Sequence, residues 1–222
     1  MANYFSYLPE FDYVSRLPDA KIGDYARVKN LFKKGKIRDD IFKNLTFFEK
    51  YSIKGDDRPD NVAYEIYNDA SLDWVILLSN NILNIQTEWP LPQNDFDRFL
   101  LDKYGDYDDL YNGIHHYETQ EVKNSQGITM ISAGLQVDST FSISFYDFFI
   151  DQQIDTGNIS VPITNYEYEE KIENDKRNIF ILKSNYLGII LNDMEEIMNY
   201  KKGASQYVSD TLKRGDNIRL YS

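Results

Sequence analysis

The densest hydrophobic patterning in the chain lies in residues 51–91, where a short alternating segment runs through a Gly-Asp turn into two compact helical patterns and a Trp-Pro exit. Tyr51, Ser52, Ile53 and Lys54 alternate ring, polar, branched and charged side chains, the pattern of a half-buried strand, and Gly55-Asp56 supplies a turn. A helix is predicted next. Pro59 suits its first turn, where a backbone N–H would have no partner, and Asp57 and Asp60 place negative charge where the helix dipole favours it. Val62 with Ile66, and Ala63 with Tyr67, then share a face at i,i+4 spacing. Asn68 and Asp69 end this helix and Ser71 is a cap for the next, which reads Leu72, Trp74, Val75, Ile76, Leu77, Leu78. A helix apolar on nearly every side must be buried on nearly every side, which predicts a core position for Trp74.

The flanking patterns are sparser. Residues 1–17 alternate aromatic and polar positions at Tyr4, Phe5, Tyr7, Phe11 and Tyr13, broken by Pro9, and read as an extended arm or edge strand, lying on a neighbouring subunit or on its own domain. Asp39 or Asp40 starts a short amphipathic segment carrying Ile41, Phe42, Leu45 and Phe48. Asn94 is a candidate cap for a helix with Phe96, Phe99, Leu100 and Tyr104 on one face, closed by Gly105. Residues 114–164 turn to strand texture, with Phe141, Ile143 and Phe145 alternating with Ser142, Ser144 and Tyr146. The run Phe148, Phe149, Ile150 reads as core, with a docking face as the alternative. Asn165 opens a charged helix in which Glu167 with Lys171 and Glu173 with Arg177 are spaced as pairs, its charge a solvated face. A short strand over residues 179–182 leads to Ser184, a cap for a helix with Leu187, Ile190, Leu191, Met194 and Ile197, to which Lys201, Lys202 and Gly203 give an end.

The order strand, Gly-Asp, helix with Val62-Ala63, break, helix ending in Asn80 resembles a lysin-motif (LysM) domain, from which it departs by one extra residue after Gly55-Asp56 and by Trp74. Those departures are similar to a narrower family. Tyr51-Ser52-Ile53-Lys54-Gly55, Arg58-Pro59, Ala63, Ile66-Tyr67, Trp74-Val75, Leu77-Leu78, Asn80 and Trp89 together resemble the small baseplate wedge proteins of T-even-like contractile-tailed bacteriophages. The similarity covers residues 37–104 and resumes over 166–200, at Ile181, Lys183-Ser184 and Asn192-Asp193 through Ile197-Met198.

Patterning and resemblance together give an α+β fold: a LysM-like βααβ core with a β-rich insertion and additional helices. The expected segments are an N-terminal arm (1–36), the core with its following helix (37–105), the insertion (106–164), a helical segment (165–203) and a C-terminal strand or tail (204–222). The resemblance implies a structural subunit present once in each wedge of a tail baseplate. Its implied partners are other wedge subunits, the sheath-initiating subunit and neighbouring wedges around the hub. The implied mechanism is a metastable joint that yields when host contact triggers sheath contraction and genome ejection. Tyr51, Tyr64, Tyr67, Trp74, Leu78, Asn80 and Trp89 are the structural or interface candidates. The competing class is a LysM-type glycan-binding module, specific for peptidoglycan, of a tail-associated protein.

Composition narrows this further. The formal net charge of −12 repels nucleic acid and anionic lipid at long range, so no nucleic-acid partner is expected. Aromatic residues make up 15% of the chain, with 18 Tyr, which leans towards a subunit that packs against other proteins. There is no cysteine for a disulfide, a thiolate metal site or a nucleophile. The start lacks signal-peptide character and the longest strongly apolar run is residues 75–78, extended by Trp74, so synthesis in the host cytoplasm without membrane insertion is expected.

No catalytic constellation emerges, and neither enzyme activity nor a cofactor or metal is expected. Residues 106–113 resemble a calcium loop, but Leu110 occupies a slot that needs an oxygen ligand. His115 and His116 are adjacent, so on a regular strand they point to opposite faces and cannot share a metal. Glu88 beside Trp89 is weak evidence for glycoside hydrolysis. The basic cluster Lys33, Lys34, Lys36 and Arg38 reads first as a solvated turn, with a phosphate or acidic-partner contact as the alternative. Arg214-Gly215-Asp216 is too short to carry an adhesion reading. Residues 215–220 resemble the strand that closes a LysM domain and are predicted to pair with the residue 51–54 strand, leaving 84–209 as one insertion; service to a neighbouring subunit is the rival.

Overall fold

The strand predicted at residues 51–54 forms slightly earlier, over Phe48–Ser52, and pairs antiparallel with Asn178–Leu182 in the register Phe48↔Leu182 to Ser52↔Asn178. This is a computed structural model, and it describes residues 3–21, 23–203 and 206–215. The chain is α+β and divides into two units, Met1–Trp89 with Arg177–Ser222, and Pro90–Lys176.

In the first unit the turn after the strand carries Gly55 at φ +51°, and Pro59 opens the helix Pro59–Tyr67. Asn68 ends it in the left-handed conformation at φ 58°, one of the few non-glycine residues that adopts it cheaply. The Asp69 side chain then accepts from Ser71 N and starts a single 3-10 turn, Ala70–Leu72, before the helix Asp73–Ser79. Ser71 is thus the recipient of the cap rather than the cap. The all-round apolarity of that second helix has the expected result: it lies between two clusters. Ile76 packs with Ile53, Val62, Ala63, Trp89, Ile179 and Ile181. Trp74 and Val75 pack with Phe48, Leu72, Leu182 and the inner face of the helix Leu187–Met198, Ile190, Met194 and Met198.

Ser184 does not cap that helix; it begins a 3-10 turn, Ser184–Tyr186, and the helix ends at Asn199, ahead of Gly203. Gly35 lies close against the core, where a Cβ would stand 2.4 Å from Met194 Sδ and make that thioether shift. The arm is not simply extended. Asn3 caps a short helix, Tyr4–Tyr7, and Glu10–Val14 is an inner strand of a four-stranded sheet, flanked by Tyr25–Lys29 and Leu212–Arg214, with Tyr207–Ser209 at the edge beyond. The described part of the tail therefore pairs with the N-terminal strand, while Asn178–Leu182 partners Phe48–Ser52; residues 216–220 of the predicted tail strand lie outside the described residues.

In the second unit Pro92, not Asn94, stands at the cap of the helix Gln93–Tyr104, whose Phe96 and Leu100 bury with Leu110. Phe99 stays largely exposed. Asp106 accepts from Asp109 N and starts the helix Tyr107–Asn112, so the calcium-like loop is a helix cap. The strand texture is realised as the three-stranded antiparallel sheet Ser160–Thr164, Ile114–Thr119, Gln136–Val137 and two further hairpins. The helix Asn165–Lys176 departs from expectation: Glu169 and Glu173 are buried at 5% and 6% exposure, and the i,i+4 pairs do not form. Glu169 instead accepts from Lys103 Nζ at 2.6 Å and Tyr104 Oη at 2.8 Å, and Glu173 from Lys176 Nζ at 2.7 Å and from the Leu91 amide. Buried carboxylates need such donors, because an unpaired charge out of water costs several kcal/mol. Among the described residues no helix is long and apolar enough to cross a membrane.

Candidate functional site

Six of the seven candidate residues converge on the strand-helix-helix-strand framework of the first unit. Asn80, at the end of the helix Asp73–Ser79, reads the backbone of the facing strand as another strand would: its Nδ2 donates to Phe180 O at 2.8 Å and its Oδ1 accepts from Phe180 N at 2.8 Å. Tyr67 Oη donates to Leu182 O at 2.8 Å on the same strand, and burial raises its pKa. Trp89 is buried and its indole N–H donates to Asp57 O at 2.9 Å, locking the exit of the framework onto the turn before the first helix. Trp74 meets the rings of Tyr7 and Tyr4 at 5.7 and 6.1 Å, so the N-terminal helix is held on this unit. Leu78 packs half-buried against the same cluster.

Tyr51 is half-buried and donates to Glu65 Oε2 at 2.7 Å, while Lys54 Nζ lies 2.6 Å from Glu65 Oε1. Lys54 and then Tyr51 hold the Glu65 carboxyl below its ordinary pKa; burial, followed by Glu65, pushes the Tyr51 phenol up. Tyr64 differs from the rest at 60% exposure, and is the candidate with the most surface to offer. Glu88 is a local brace, accepting from Leu83 N at 2.7 Å and Asn84 N at 3.2 Å, with its neighbour Trp89 facing the core rather than a cleft. That leaves no acid beside an open aromatic platform there.

Two surfaces of the second unit were misjudged from the sequence. His115 and His116 do not point apart. The pairing of Ile114–Thr119 with Ser160–Thr164 slips between Ile163 and Thr164, so Ile163 faces His116 and Thr164 faces Ile114, with His115 the extra residue of a bulge. The two Nδ1 atoms come to 2.9 Å, and His115 stacks on Tyr168 at 3.7 Å between ring centroids. His116 Nε2 is 3.2 Å from Glu118 Oε1, which also takes Lys171 at 3.0 Å. Among the described residues no group of three or more His, Asp or Glu is arranged to hold a metal.

Phe148, Phe149 and Ile150 are not core. They form the turn between the strands Ser144–Asp147 and Gln152–Asp155 and are 84%, 57% and 45% exposed. The tip is organised from beneath by Asp147, which is buried and accepts from Ser125 N at 2.8 Å and Phe149 N at 3.0 Å. Those amide donors, Ser125 first, hold its carboxyl below the ordinary range. Asp151 closes the turn at φ 55°, and Tyr146 donates to its carboxylate. Three large apolar side chains thus stand exposed together on a braced hairpin, the kind of patch that commonly marks a contact surface.

Residues 4–128 match the protein family described as Base plate wedge protein 53. The chain belongs to that family. No curated protein sequence matches it. As a phage base plate wedge protein it is a structural component of the virion tail that assembles with other baseplate components, and membership in a structural family argues for a role without catalysis. The matched span contains both framework helices and the histidine bulge, while the apolar hairpin tip lies beyond it.

Proposed function

We propose that this base plate wedge protein is a joint: it binds other wedge subunits and the sheath-initiating subunit, and links neighbouring wedges around the hub of a contractile tail. The linkage holds the baseplate in a metastable arrangement and yields when host contact triggers sheath contraction and genome ejection. We further infer that the strand-helix-helix-strand framework is LysM-like and serves as a rigid mount rather than a glycan site. In support, Tyr67, Asn80 and Trp89 are turned inward onto Leu182, Phe180 and Asp57.

The observation that carries the proposal is the braced tip of Phe148, Phe149 and Ile150, exposed on a chain whose family assembles into baseplates. Aromatic anchors that enter a partner's pocket supply most of an interface's affinity. A variant carrying Phe148→Asp and Phe149→Asp tests it: the protein should melt as the wild type does yet fail to enter wedge assemblies reconstituted from purified subunits. Normal incorporation of the double variant would remove the tip from the joint.

A further inference from the structure

The basic cluster at residues 33–38 separates in space. Lys36 pairs with Asp39, and Arg38 with Asp40 and Asp193, so these two are neutralised locally. Lys33 goes elsewhere. Its ammonium lies 5.0 Å from the centroid of the Tyr200 ring and donates to Asn199 O at 2.7 Å, while Lys213 lies over the same ring at 4.9 Å. Lys201 and Lys202 follow Tyr200 directly and line the same trough, of about 610 Å³. The carboxylates nearest in the sheet, Glu10 and Asp12, are taken by Arg27, Lys29 and Arg214, and these four lysines make no ion pair among the described residues. On a chain of net charge −12 this is a concentrated, uncompensated positive surface. The crowding is felt by Lys33, whose pKa is lowered by burial and by Lys213 and Lys201.

An apolar groove of about 490 Å³ adjoins the trough and shares Asn30 and Phe32 with it. It arises from the strand Glu10–Val14, which buries Asp12 and Val14 on one face and turns Phe11 and Tyr13 to the other, beside Val28. Phe32 stands at the junction and is 98% exposed.

We propose that this combined surface docks an extended acidic protein segment, its carboxylates on Lys33, Lys201, Lys202 and Lys213 and its apolar side chains in the Phe11, Val28 and Phe32 groove. Charge complementarity selects the acid, and the contiguous apolar groove selects a peptide over a bare anion, which has nothing to place there. Nucleic acid is disfavoured because it carries no aliphatic side chains for the groove. The inference stands apart from the wedge-joining proposal, since binding of such a segment is measurable on the isolated chain whatever its place in the tail.

The test is fluorescence anisotropy of the full chain with a labelled synthetic peptide that alternates Glu or Asp with Phe or Val, alongside the same peptide with Gln and Asn in place of the acids. Saturable binding is expected, weakened roughly tenfold or more when salt is raised from low to high concentration, and absent for the amide peptide. The exposed pair Lys201→Glu, Lys202→Glu should weaken it at least about tenfold, as should Phe32→Ser, while Lys43→Glu, on exposed surface elsewhere, should not. Circular dichroism melts verify that each variant is folded. The proposal is overturned if the wild type shows no saturable binding, if acid and amide peptides bind alike, or if the Lys201 and Lys202 reversal leaves affinity unchanged. It is equally overturned if inorganic phosphate or a short DNA duplex displaces the peptide and binds the Phe32→Ser variant as tightly as the wild type, which would make this a general anion site.

Discussion

Replacing Trp74 by Ala probes the packing that holds the first unit together. Its side chain is 4% exposed, contacts the cluster built by Phe48, Leu72, Val75, Leu182 and Met194, and meets the rings of Tyr4 and Tyr7. A buried aromatic of this size removes roughly 150–250 Å² from water, worth about 4–6 kcal/mol at ~25 cal/mol per Å², and measured Trp→Ala changes in cores run to about 3–5 kcal/mol after partial collapse of the cavity. The lower figure is the appropriate one, because the short Tyr4–Tyr7 helix can shift into part of the space. Against a typical total of about 5–15 kcal/mol this is a large fraction, and at ~2–4 °C per kcal/mol it lowers Tm by about 6–20 °C. Scanning calorimetry of Trp74→Ala beside Tyr64→Ala is the assay; the exposed Tyr64 should cost no more than about 0.5 kcal/mol. If the unit containing residue 74 unfolds at the same temperature in both variants, Trp74 does not hold that packing together.

Other expectations follow from single contacts. Asn80→Ala removes both hydrogen bonds to Phe180 and should cost about 1–2 kcal/mol, with faster amide exchange at Phe180; Asn80→Asp keeps the acceptor for Phe180 N but sets a carboxylate against Phe180 O and should be no better. The Asp147 carboxyl, lowered by its amide donors, contributes stability that is complete above its unfolded value near about 4 and is lost as pH falls through its lower folded value. NMR should therefore show the Ser125 and Phe149 amides moving together with a midpoint below about 4, and a midpoint at or above that value refutes the bracing of the tip. Calorimetry with chito-oligomers should give no binding heat, since Tyr67, Asn80 and Trp89 are engaged internally; micromolar binding would restore the glycan-module reading.

What could be read from the sequence was local. Pro59, the Val62-Ala63 face, the Asn68 stop and the apolar run from Trp74 specified two helices and their burial, because each signal acts within a turn or two of its own residue. The partner of the Phe48–Ser52 strand was not legible: Asn178–Leu182 offers Ile179 and Ile181 in ordinary alternation, and nothing in such a pattern says which distant strand it meets. His115 escaped for a related reason, as alternation fails at a bulge and the bulge is created by register with Ile163 and Thr164. Phe148 to Ile150 read as core because apolarity was the only signal, whereas the φ of Asp151 and the Asp147 bonds turn the run into a tip. The lysine trough draws on residues 33, 200–202 and 213, three segments that only the fold brings together.

Quantitative cross-linking mass spectrometry of purified phage tails shows whether the protein is a structural joint in the finished baseplate. A joint should be present in proportion to the other wedge subunits, with cross-links from the hairpin around Phe148 to a neighbouring wedge component. Its absence from finished particles, as for a factor that acts only during assembly, would rule out a joint.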